Sequence, residues 1–89
     1  MIFHISYTFQ PEHRDAAQSR FIKGGAPPPE GVNMLSRWHG VSGRKGIVVA
    51  ESSELSRVAS WMQQWTDLLT FQIEPVLDDE KFIEVLKRQ

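Results

Sequence analysis

An α+β domain with a four-stranded antiparallel sheet is predicted from three features of this 89-residue chain. Residues alternate at strand period near both ends, one strongly amphipathic helix lies in the second half, and a proline–glycine segment separates a βα unit from a hairpin. The length suits one domain, residues 1–89, and a chain this short buries only about 60 to 65% of its unfolded surface.

The elements follow in order. From Ile2 to Phe9 the chain places Phe3, Ile5, Tyr7 and Phe9 on one face and Ile2, His4, Ser6 and Thr8 on the other, a strand with one apolar side. Pro11 suits a first helical position, Glu12 favours the positive helix end, and Gly24-Gly25 stops the run, so a helix is expected from about Pro11 to Lys23. The segment Gly25-Ala26-Pro27-Pro28-Pro29-Glu30-Gly31 cannot continue it and reads as a stiff spacer. A second strand is expected over Val32 to Val41. The glycines of Ser42-Gly43-Arg44-Lys45-Gly46 allow a hairpin turn into a third strand at Ile47 to Ala50.

Ser53 is the expected N-cap of the next helix, in which Leu55, Val58, Ala59, Met62, Trp65 and Leu69 recur at three- and four-residue steps. Trp65 continues that stripe toward the core, whereas Trp61 lies beside it, at its margin or at a subunit contact. Thr70 to Val76 sets Phe71 and Ile73 opposite Gln72 and Glu74 in a fourth strand, and Asp78-Asp79-Glu80 opens a short terminal helix. The order βαββαβ plus a terminal helix is the ferredoxin-like arrangement. Its two inner helices cover one sheet face and leave the other bare, which predicts a homodimer closed over the bare face.

Charge and composition narrow the function. A net charge of −1 and a pI near 6.3 give no broad positive field, so neither nucleic acid nor a membrane surface is expected as a partner. With no cysteine, thiol nucleophiles, thiolate metal sites and disulfides are excluded. The opening MIFHISYTF lacks the basic flank and apolar core of a leader, and a cytoplasmic protein is expected.

The opening strand, PEHRDAAQSRF, GGAPPPEGV, RWHG, the GRKG turn and MQQWTDLLTFQIEPVLDDE together resemble a family of small bacterial proteins of unknown function. That family is similar in outline to the dimeric α+β barrel proteins, in which two ferredoxin-like sheets face each other and enclose one cavity per subunit. The resemblance implies fold and dimerisation. Relatives in the wider superfamily include cofactor-free monooxygenases, haem-degrading enzymes and small isomerases, but no catalytic residue carries over.

The candidate site is the polar set expected on the bare face: His4, Ser6 and Thr8 from the first strand, Gln72 and Glu74 from the last, and Arg37 with His39 from the second. Arg37 and His39 are placed there because the bulk of Met34 and Trp38 is expected to point toward the helices. A one-residue slip would exchange Trp38 for His39 and make Trp38 the ligand contact. In this reading His39 or His4 is the acid or base, Glu74 orients it, and Arg37, Ser6 and Gln72 bind an acidic or aromatic ligand. The structural alternative has Arg37 paired with Glu74 or Glu51 across the dimer interface while the histidines only hydrogen-bond. His4, His39 and a carboxylate hold two of the ligand types of a zinc or iron site, but no fixed spacing brings them together, and no metal or cofactor is expected. Gly40 to Gly46 fails the phosphate-loop pattern because a strand follows it. Ser52 and Ser53 are expected to cap rather than to attack. Three functions stay open: a ligand-binding dimer, a monooxygenase- or isomerase-like enzyme with a histidine acid/base, and a structural protein with no ligand.

Overall fold

The computed structural model describes all residues, Met1–Gln89. Strand β1 (Ile2–Thr8) leads through a 3-10 turn (Pro11–His13) into α1 (Arg14–Gly24). The hairpin of β2 (Asn33–His39) and β3 (Lys45–Glu51) follows, then α2 (Leu55–Gln63), β4 (Thr70–Val76) and α3 (Asp79–Lys87). The strands stand in the order β2-β3-β1-β4, and every neighbouring pair is antiparallel. The fold is ferredoxin-like, as the element order predicts.

One sheet face carries the core. Phe3 and Ile5 from β1 sit opposite Ala50 and Val48 of β3, and all four are buried beneath Val58, Trp61 and Met62 of α2. Met34, Phe71 and Ile73 complete this layer from the outer strands. Trp61 is only 2% exposed, so it belongs to the core and not to the margin of the helix stripe. The N-cap of α2 is Glu54, not Ser53, and it makes no side-chain capping bond. Buried Ser52, not Ser53, accepts the Glu54 amide at 3.1 Å and donates to the Gly31 carbonyl at 2.8 Å, tying the start of α2 to the spacer.

Strand β2 overturns one expectation directly. The pairing steps from Met34↔Ala50 to Ser36↔Val49, so Leu35 is an extra residue in a bulge. A bulge inverts which residues face which way beyond it. Met34 lies on the core face as predicted, but past the bulge so do Arg37, opposite Val48, and His39, opposite Gly46. Trp38, opposite Ile47, joins Ser6 and Gln72 on the bare face and is 65% exposed. The positions expected of Trp38 and of the Arg37–His39 pair are thus exchanged.

The molecule is long for its size. Its radius of gyration is 14.8 Å, where a compact domain of this length has about 12 Å. One contributor is α3, capped by the Asp78 side chain on the Lys81 amide at 2.8 Å, which buries none of its residues. Phe82, Ile83 and Leu86 stay about half exposed along one side of it.

Candidate functional site

A largely apolar concavity lies on the core side of the sheet, under α1 and α2, with a volume near 360 Å³. Its existence follows from the sequence of α1. On the side turned to the sheet that helix places the small Ala17, its one buried residue, where a packing helix commonly carries a bulky apolar group. The space above Val48 and Phe71 therefore stays open. Tyr7, Val48 and Phe71 form the sheet wall, and Ala17, Phe21 and Ile22 of α1 face it. Trp61 and Met62 of α2, with Trp65 and Leu69 just beyond, close the far side.

The polar groups gather at one end. The Tyr7 hydroxyl and His39 Nδ1 are 2.7 Å apart, a hydrogen bond made possible because their strands place them in one cross-strand row. Gly46 lies between them in that row, and the Tyr7 ring covers it: a Cβ there would come under 3.0 Å from both the ring and the Trp38 carbonyl oxygen. The His39 ring also meets Phe21 edge-on, 5.2 Å between centroids. Beside it, Arg37 Nη2 donates to the Ala26 carbonyl at 2.6 Å and contacts Met34 Sδ at 3.0 Å, while the guanidinium sits 5.4 Å from the Phe21 ring centre. Lys45 stands on the same rim.

The electrostatics follow from partial burial. Burial raises the Tyr7 pKa above its ordinary value of 10.0, and the positive charge of Arg37 pulls the other way. Burial lowers the Arg37 pKa, partly offset by Tyr7. Tyr7 is therefore a neutral phenol at neutral pH. The hydroxyl donates to Nδ1 where that nitrogen is bare and accepts from it where it carries a hydrogen, so the bond forms with either tautomer.

The expected constellation separates into two. On the bare face, His4 lies directly opposite Glu74 on β4 and Val49 on β3, with Ser6, Gln72 and Trp38 in the next row. Arg37 and His39 lie on the reverse side, so Arg37 pairs with neither Glu74 nor Glu51. His4 and His39 cannot converge on one ion, and no three His, Asp or Glu side chains group as metal ligands. Sequence reasoning missed Tyr7, Phe21 and Lys45, and favoured core or interface over ring binding for Trp61 and Trp65. The available signals were the pair Tyr7 and Gly46, a ring with space to lie over a glycine, and the adjacent bulky Met34-Leu35, which breaks the alternation of β2.

Comparison with known proteins agrees with this fold and leaves the activity open. The family model described as "Domain of unknown function (DUF3303)" matches residues 1–89, and the chain belongs to that family. No curated protein matches it. Among solved structures it is similar to Rv0793 from Mycobacterium tuberculosis, at 12% identity and a TM-score of 0.51, covering 88% of this chain and 96% of that one. At this identity the likeness concerns the fold alone. No helix is long and apolar enough to cross a membrane.

Proposed function

We propose that this protein is a homodimeric module that binds one small organic molecule per subunit in the pocket between its helices and its sheet. The observation that carries the reading is the pocket itself: a 360 Å³ space with 12 apolar residues among its 18 lining residues and its polar groups confined to one rim. Small-molecule sites have this composition, an apolar body with a few placed polar groups that fix orientation. Dimerisation is supported by the bare sheet face, where Trp38, Ile47 and Val49 are uncovered or half-covered, and by the exposed apolar side of α3. Apolar surface of this kind on a small domain is ordinarily closed by association.

Native mass spectrometry after incubation with a diverse set of small aromatic and aliphatic compounds tests both parts. The expected spectrum is a dimer carrying up to two bound molecules. A protein that retains no compound from the set overturns the binding reading, and a monomer at all concentrations overturns the dimer.

The Tyr7–His39 hydrogen bond favours a second reading, in which the pair moves a proton to or from the bound molecule. Tyr7 fixes the imidazole by Nδ1, which leaves Nε2 as the acid or base. Solvent deuterium entering an acidic C–H of a bound compound, lost in His39→Gln, is the expected signature. Binding with no exchange in any compound leaves the module without this chemistry.

A further inference from the structure

The rim of the pocket holds positive charge with nothing to balance it. No aspartate or glutamate lines the cavity, whereas Arg37 and Lys45 both do. The three ion pairs of the chain use Arg14, Arg20 and Arg57. Arg37 has no carboxylate partner, although it is half-buried. Its protein contacts engage Nη2 alone, with the Ala26 carbonyl and Met34 Sδ, so Nε and Nη1 keep their donors. A cation withdrawn from water without a counter-charge is costly, and the cost falls when an anion arrives.

We infer that the pocket selects apolar anions, aromatic or branched carboxylates and phenolates of about a dozen non-hydrogen atoms, with the charged end on Arg37 and the apolar body against Trp61 and Phe21. This rests on the pocket reading above and adds the class of ligand. The size follows from the cavity: 360 Å³ is room for about twelve waters at ~30 Å³ each. The planar fork of Arg37 suits a carboxylate in particular, because two parallel N–H donors match its two oxygens. The cation also lies against the Phe21 ring, which restrains the guanidinium in place. The Tyr7 hydroxyl adds a donor that a second oxygen of the ligand can use when His39 Nδ1 carries the hydrogen of their bond.

The test compares naphthalene-2-carboxylate with its neutral isostere naphthalene-2-carboxamide by isothermal titration calorimetry, in wild type, Arg37→Gln and Arg37→Lys. The expected result is that wild type binds the carboxylate at least about tenfold more tightly, the scale of a charge-assisted hydrogen bond. Arg37→Gln levels the two affinities, and Arg37→Lys, which keeps the charge without the fork, retains part of the preference. Equal binding of both probes by wild type overturns the anion inference and leaves the pocket standing. Binding of neither probe removes both. A preference that persists undiminished in folded Arg37→Gln, with circular dichroism matching wild type, overturns the assignment to Arg37; should that variant fail to fold, the same persistence in folded Arg37→Met does so.

Discussion

Replacing Gly46 by alanine gives the sharpest structural test of the site, because a single methyl group collides with the wall that carries it. The added Cβ would lie under 3.0 Å from the Tyr7 ring and from the Trp38 carbonyl oxygen. The ring can rotate, but the carbonyl belongs to the β2–β3 ladder and cannot, so both strands must shift. Overpacking of this kind costs about 1–3 kcal/mol. In a domain of this length that corresponds to a fall in Tm of roughly 5–20 °C. The φ of Gly46 is not among the positive ones, so the loss is steric and not conformational. Gly24 is the control: nothing lies within 4 Å of its Cβ position, and it closes α1. Gly24→Ala should therefore change stability by no more than about 1 kcal/mol, toward stabilisation. The assay is thermal unfolding followed by circular dichroism, with Tyr7→Ala/Gly46→Ala added. Removing the ring should restore part of the loss and leave the part owed to the Trp38 carbonyl. A Gly46→Ala protein as stable as wild type would refute the row that joins Tyr7, Gly46 and His39.

Other outcomes follow from the same geometry. Ser52→Ala leaves the Glu54 amide and the Gly31 carbonyl without their buried partner and should cost about 1–3 kcal/mol by urea unfolding; Ser53→Ala, at an exposed position, should be nearly neutral. Tyr7 is the single tyrosine of the chain, so phenolate absorbance reports it alone. It should ionise above 10.0 in the folded protein, and later still in Arg37→Met, which removes the opposing charge. Because its folded pKa is the raised one, its contribution to stability is complete below the unfolded value and is lost as pH rises through the folded value. Asp67, held low by its hydrogen bonds to Arg20, acts at the other extreme: its contribution is present above the unfolded value of 3.8 and lost as pH falls through the folded one. Trp38→Glu and Phe82→Glu place charge on exposed apolar surface and should shift sedimentation toward monomer with the pocket affinity retained.

The architecture was legible because periodicity survives without knowledge of contacts. β1 alternates cleanly from Ile2 to Thr8, α2 repeats at helical steps, and the turn glycines bracket the hairpin, so element order and sheet layering could be read from residues alone. The site was half legible. Unbroken alternation along β2 sets Arg37 and His39 on the bare face, and the extra residue Leu35 turns them to the core side instead. Bulk was also a poor guide: Trp38 was turned inward for its size, while the core took Trp61 instead. The pocket is not visible in the sequence, because a small residue such as Ala17 leaves a cavity only once its helix lies over the sheet.

The proposed ligand site lies on the helix side of the sheet and not on its bare face. The three tryptophans divide between those sides: Trp61 and Trp65 line the pocket, and Trp38 stands on the bare face. Indole N–H resonances followed during titration with naphthalene-2-carboxylate report the two faces at once. With the ligand in the pocket, the Trp61 and Trp65 signals should move with ligand concentration while the Trp38 signal holds still at fixed protein concentration. Movement of Trp38 alone would put the site on the bare face and contradict that placement.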